Sequence, residues 1–64
     1  MFDKISKLYG KHIFTKDFGD GELVDITKKT HNIEDGLYVY FHSNRDGEVK
    51  LDGKEFLDNI VEVK

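Results

Sequence analysis

Asp-Gly occurs four times in this chain, at Asp20-Gly21, Asp35-Gly36, Asp46-Gly47 and Asp52-Gly53. The pair is favoured where a tight turn needs positive φ, because glycine has no Cβ to clash there. Four such signals in 64 residues leave strands of about five to eight residues between them. That spacing predicts a small antiparallel barrel or meander. The chain has no cysteine and no proline. A disulfide framework and a cysteine-based zinc site are therefore excluded. Without proline, lysines are left to guard the edge strands. So short a chain is one domain, near the lower limit for folding alone, and self-association is one way to add buried area.

The apolar pattern fills in the elements. Phe2, Ile5, Leu8 and Tyr9 recur three to four apart and form one face of a short helix, which Gly10 stops. From residue 11 the period becomes that of strands. Strands are expected at Lys11–Thr15, Leu23–Thr30, Leu37–Ser43, Glu48–Leu51 and Asn59–Lys64, with a helical turn over Lys54–Asp58. Gly19 and Gly21 flank Asp20 in what reads as a tight loop between the first two strands. The expected core is Ile5, Leu8, Ile13, Val24, Ile26, Leu37, Val39, Phe41, Val49, Leu51, Phe56, Leu57, Ile60 and Val63. The expected fold is mainly β: a five-stranded antiparallel SH3/Tudor-like barrel over residues 11–64, with a helix in residues 1–10 covering a face or plugging an end.

The run from Tyr9 to Val24 reads Gly10-Lys11, an apolar strand, Phe18-Gly19-Asp20-Gly21, then a second apolar strand. Leu37–Phe41 and Gly47–Leu51 follow. Over about residues 9–51 this order resembles the Tudor-like, SH3-type barrels at the C-termini of UvrD/PcrA-type helicases. It is also similar to the RNA-polymerase-interacting barrels of the CarD and transcription-repair coupling factor kind. Only Gly10-Lys11 and Phe18-Gly19-x-Gly21 are specific to that pattern. The N-terminal helix and the longer segment around Thr30–Asp35 depart from it. The resemblance implies a docking module for protein or nucleic acid that has no catalysis of its own.

Ten Lys+Arg against thirteen Asp+Glu give a net charge of −3. This argues against a dominant nonspecific nucleic-acid binder. The charges alternate in blocks along the chain. Asp17, Asp20, Glu22 and Asp25 form one acidic segment, and Glu34, Asp35, Asp46 and Glu48 dominate another. No apolar run is long enough for a signal peptide or a membrane span, so a cytoplasmic location and no membrane partner are expected.

Catalytic and metal chemistry find little support. Asp17-Phe18-Gly19 matches the kinase magnesium motif in letters only, with no phosphate loop and no room for a kinase. The acidic segment lacks the ligand spacing of an EF-hand. His12, His31 and His42 are too scattered for a helical ligand pair. The only serine beside a histidine is Ser43, next to His42, and adjacent strand residues face opposite sides. No cofactor, no metal and no enzymatic activity are expected.

The strongest candidate surface lies on the third strand. If Leu37, Val39 and Phe41 fill the core, then Tyr38, Tyr40 and His42 stand in line on the other face. Exposed aromatics in a row favour interfaces, and could also stack unpaired bases. Lys28, Lys29 and Arg45 either flank the row as rim charges or serve solubility alone, and Phe18 either folds over one barrel end or is simply core. The opposite arrangement has the N-terminal helix covering the row, with Phe2 and Leu8 on Tyr38 and Tyr40.

Phe18, Tyr38, Tyr40, His42 and Arg45 are thus the candidate partner-binding residues. The expected function is a non-enzymatic module that docks onto a larger protein of nucleic-acid machinery, such as an RNA polymerase, a helicase or a nuclease. A second reading is a stand-alone inhibitor or accessory protein of a phage or mobile element. It would use the acidic segments 17–25, with Asp17, Asp20, Glu22 and Asp25, and 34–48 to mimic nucleic acid or cap a basic groove, and small size, a Met1-initiated frame and clustered carboxylates suggest it. A third is weak single-stranded nucleic-acid binding. A homodimer formed through an edge strand is compatible with all three.

Overall fold

The computed structural model describes residues 2–64. Its elements are α1 (Phe2–Ser6), β1 (Ile13–Thr15), β2 (Gly19–Lys28), a 3-10 turn (Ile33–Asp35), β3 (Leu37–Ser43), β4 (Gly47–Asp52), α2 (Gly53–Asn59) and β5 (Ile60–Val63). The five strands form one antiparallel sheet in the order β4-β3-β2-β1-β5. The protein is mainly β with a short N-terminal helix, as the periodicity predicts. The sheet is not closed, since β4 and β5 are its two ends and do not pair, so the expected barrel holds only loosely. Helix α2 connects these ends and packs on β3 and β4.

The core lies on the inner face. Ile5, Ile13, Leu23, Leu37, Val39, Phe41, Leu51 and Phe56 are buried together, with Leu8, Phe18, Ile26, Val49, Leu57 and Ile60 packed against them. Phe41 and Phe56 meet with ring centroids 5.7 Å apart, a tilted contact typical of aromatic pairs. Ile5 is fully buried in this cluster, so α1 covers the inner face.

Two core expectations are corrected, Val24 by a β-bulge and Val63 by its place at the sheet's end. Leu23 pairs with Phe41 and Asp25 with Tyr40, so Val24 has no opposite residue. The extra residue shifts the phase of the strand. Leu23 and Ile26 therefore face inward, and Val24, expected in the core, is 52% exposed. A second bulge falls where Phe14 pairs with Glu62 but Thr15 with Ile60, leaving Val61 over. Past it, Val63 sits on the sheet's outermost strand and is 36% exposed, not core.

The Asp-Gly signals divide into three kinds. Gly36 and Gly47 have positive φ, at 114° and 82°, and make true chain reversals. Asp20-Gly21 is strand, not turn, and the loop glycine is Gly19 at φ 71°. Asp52-Gly53 starts α2. Asp52 is its N-cap, with a side chain that accepts from the Lys54 N–H at 2.9 Å.

Gly21 is needed for a different reason from the turn glycines. A Cβ there would lie 1.9 Å from the His42 carbonyl oxygen and 3.0 Å from Phe41 Cζ. The β2 and β3 backbones approach too closely for any side chain, and the contact below 3 Å is with backbone that cannot swing away. Gly10, in contrast, faces open space. Gly21→Ala should cost about 3 kcal/mol, at the upper end of overpacking. Gly10→Ala should cost only about 1–2 kcal/mol from its positive φ. Urea midpoints would measure both, and a Gly21→Ala protein as stable as Gly10→Ala would contradict the close approach.

Candidate functional site: the outer face of the central strand

The alternation of β3 decides what the molecule shows to solvent. Leu37, Val39, Phe41 and Ser43 are buried, while Tyr38 and Tyr40 are half-buried and His42 is exposed. Since α1 inserts Ile5 among the inward residues, it does not lie on the tyrosines. The register sets their neighbours. Tyr38 lies between Thr27 and Asp52, Tyr40 between Asp25 and Lys50, and His42 between Glu22 and Glu48.

Lysine side chains account for part of the tyrosines' burial. Lys50 Nζ stands 4.1 Å from the Tyr38 ring centroid and 5.9 Å from that of Tyr40. Lys29 Nζ is 5.2 Å from the Tyr38 centroid and also pairs with Asp52. Ammonium groups at these distances are attracted to the negative ring face. Their stems cover apolar surface while the heads stay wet. The face is therefore polarised along β3. Lys29 and Lys50 set two cations against the one carboxylate of Asp52 at the Tyr38 end, and Glu22 and Glu48 make the His42 end acidic.

The expected flanking cations are corrected in part. Lys29 does flank the row, and Lys50, not singled out in the sequence, does so more closely. The signal for it was the strand alternation Glu48/Val49/Lys50/Leu51, which puts Lys50 on the face of Tyr40 once β3 and β4 form a hairpin. Lys28 is in register with Leu37 instead of a stripe residue. Arg45 belongs to the β3–β4 turn. Its guanidinium donates to the Asp17 carbonyl at 2.5 Å and to both carboxylate oxygens of Asp46 at 3.0 and 2.7 Å. The carboxylate holds Arg45 more firmly protonated, and the guanidinium holds Asp46 below the usual aspartate range.

Phe18 is also absorbed into structure. Its ring packs against the core, its N–H donates to Thr15 Oγ1 at 3.1 Å and its carbonyl accepts from Ser43 Oγ at 2.5 Å. It sits in one of two turns built alike. Thr15 pairs with Gly19 around a three-residue loop, and Ser43 pairs with Gly47 around another. In each turn the hydroxyl accepts from the N–H three residues on, Phe18 or Asp46, and a glycine of positive φ closes the loop. The spacing hydroxyl-x-x-x-Gly, present at Thr15–Gly19 and Ser43–Gly47, was the readable signal.

The four acidic candidates do not form one free surface. Asp17 accepts from the buried Asn59 Nδ2 at 3.1 Å, while Asn59 Oδ1 accepts from the Asp17 N–H at 3.0 Å. Asp20 Oδ2 lies 2.7 Å from His12 Nε2 and accepts from Asn44 Nδ2 at 3.0 Å. Asp25 caps the N–H of Ile26. Of the four, Glu22 alone reaches solvent without such a tether, beside His42. Among the described residues, no group of three or more His, Asp or Glu is placed to hold a metal ion. No helix among them is long and apolar enough to cross a membrane. Comparison with protein-family models, with curated proteins and with solved structures found no match.

Two measurements check these tethers. Ser43 is buried, and its hydroxyl also accepts from the N–H groups of Arg45 and Asp46 at 3.1 and 2.9 Å. Ser43→Ala strands those donors and the Phe18 carbonyl, and should cost about 2–3 kcal/mol by denaturant unfolding. A loss under 0.5 kcal/mol would contradict the tether. The second check uses pH. The hydrogen bond with His12, then that from Asn44, lowers the pKa of Asp20 in the fold. A carboxylate lowered by folding stabilises above its unfolded pKa, and this is lost as pH falls through the folded value. Asp20→Asn should therefore lose stability relative to wild type at pH 6, with the gap closing as pH falls below the ordinary aspartate range. A gap that widens in acid would contradict it.

Proposed function

We propose that this chain is a non-enzymatic interaction module that docks onto a larger protein through the outer face of β3. The single observation that carries the reading is the pair Tyr38 and Tyr40, half-buried on the face opposite the core with lysine ammonium groups over their rings. A lysine stem can swing aside at little cost, and tyrosine then offers a large, rigid, amphipathic contact area. The polarity of the face favours a partner surface with carboxylates against Lys29 and Lys50 and basic groups against Glu22 and Glu48. Rim charges of this kind steer encounter and set orientation. The resemblance to barrels of helicases and RNA-polymerase partners supports a partner from nucleic-acid machinery.

Nucleic-acid mimicry by the 17–25 segment is the weaker reading, because Asp17 and Asp20 are tied into turn tethers. Single-stranded nucleic-acid binding would use the same tyrosines. The acidic end of the face and the net charge of −3 work against it.

The test is affinity capture from the cells that make the protein, run in parallel with wild type and a Tyr38→Ala/Tyr40→Ala protein of unchanged circular dichroism. Wild type should retain a partner at near-stoichiometric yield, and the variant should lose it. Equal recovery by both would contradict the reading. A low-salt gel shift with a single-stranded oligonucleotide separates the alternatives. Tyrosine-dependent binding there, with no protein captured, would favour nucleic acid.

A further inference from the structure

Three stretches of strand in this open sheet have an unpaired backbone side, and they are not equivalent. The residues of β2 beyond Gly21 are not paired with β1. There the strand is bulged at Val24, and the Tyr9 phenol lies beside Ile26 and Asp25; burial first and the Asp25 charge second raise its pKa, against a hydrogen bond to the Ile26 backbone that lowers it. The outer side of β5 is bulged at Val61. Bulges twist an edge away and spoil its register for pairing with another strand. β4 carries neither device. Its register with β3 runs unbroken from Ser43–Gly47 to Tyr38–Asp52.

The side chains of this regular edge are self-complementary. An antiparallel pairing of β4 with a second β4, centred on Val49, sets Glu48 of one copy opposite Lys50 of the other, twice. Gly47 then faces Leu51; at each end Asp52 faces Asp46, two carboxylates already paired within their own chains, with Lys29 and Arg45. Opposite charges directly across a strand pair stabilise it, and like charges oppose it. Glu48 is not salt-bridged within the chain among the described residues, and Lys50 contacts tyrosine rings instead of a carboxylate. The two-fold arrangement is the closed, isologous kind that ends at a dimer.

We propose that two copies of this chain associate through β4, antiparallel about Val49, to give one continuous ten-stranded sheet. The occupant of the edge is a second copy because the charge pattern of β4 fits itself. The two tyrosine rows then lie on the same side, three strand spacings or about 14 Å apart. The dimer doubles the aromatic face without covering it. A five-residue strand pair buries less than the ~1,200 Å² of a standard stable interface, so the dissociation constant falls between about micromolar and millimolar.

Sedimentation equilibrium across that range tests the association, and backbone amide shifts during dilution locate it. Wild type should dimerise, with concentration-dependent shifts in residues 47–52 and none in 60–63. Glu48→Lys alone and Lys50→Glu alone should each weaken the dimer about fivefold or more. The double exchange Glu48→Lys/Lys50→Glu should restore it, with circular dichroism confirming the fold of each variant. A wild-type monomer at about 1 mM, shifts centred on β5, or a folded double variant that stays as weak as the singles would each overturn the proposal. Dilution shifts in the wild-type chain decide the interface even if a single variant does not fold. Glu48 and Lys50 also border the docking face, so the dilution shifts of the wild-type chain, which leave Tyr38 and Tyr40 unaltered, are the reading that separates self-association from docking.

Discussion

Strand β3 must satisfy two environments at once, and the other elements are arranged around that requirement. Its inward residues, Leu37, Val39 and Phe41, are at the centre of the core. Its outward residues, Tyr38, Tyr40 and His42, form the candidate contact row. The period of two makes this division unavoidable, since moving the register by one residue would bury the tyrosines and expose Phe41. β3 is also paired on both sides, by β2 and β4, so its register is fixed from two directions. Helix α1 contributes Ile5 and helix α2 contributes Phe56 to the inner face, which leaves the outer face to solvent and lysine.

Hydroxyls and amides inside the fold take the place of the covalent staples the chain lacks. Ser43 closes its own turn and holds the Phe18 carbonyl of the other hairpin. Asn59, at the end of α2, accepts from Asp17 and donates to it, and its carbonyl accepts from the Lys16 N–H at 3.0 Å. Among the described residues no buried side-chain nitrogen or oxygen lacks a partner. A small core leaves little margin, and an orphaned polar group would cost much of it. The Phe18-Gly19 segment is a structural joint for this reason, whatever the chain binds.

The strand pattern was legible because the apolar alternation is strong and uninterrupted at Leu37–Ser43, whose bounds agree with those read from the sequence. The N-cap and turn chemistry was partly legible. Asp46-Gly47 reverses the chain as its composition suggests, but Asp20-Gly21 is strand because Gly21 serves close backbone approach. Glycine alone does not distinguish these two uses. The bulges at Val24 and Val61 were not readable, since each depends on which residue the partner strand presents. That is why Val24 was misplaced in the core and Leu23 overlooked. In the candidate site, the tyrosine row followed from alternation, whereas Lys50 emerged only with the β3–β4 register. Arg45, Asp17 and Asp20 looked like surface charges and proved to be tethers, because their partners lie 24 or more residues away or across a turn.

The account stands or falls on which way β3 faces. A solution NMR study with a soluble paramagnetic relaxation agent tests that most directly. The account predicts strong broadening of the Tyr38 and Tyr40 ring protons and protection of Phe41 and Phe56. It also predicts cross-peaks from the Ile5 methyls to the core cluster and none to either tyrosine. Protected tyrosine rings with Ile5 cross-peaks to them would contradict it, because the helix would then cover the face on which both the docking reading and the arrangement of the core depend.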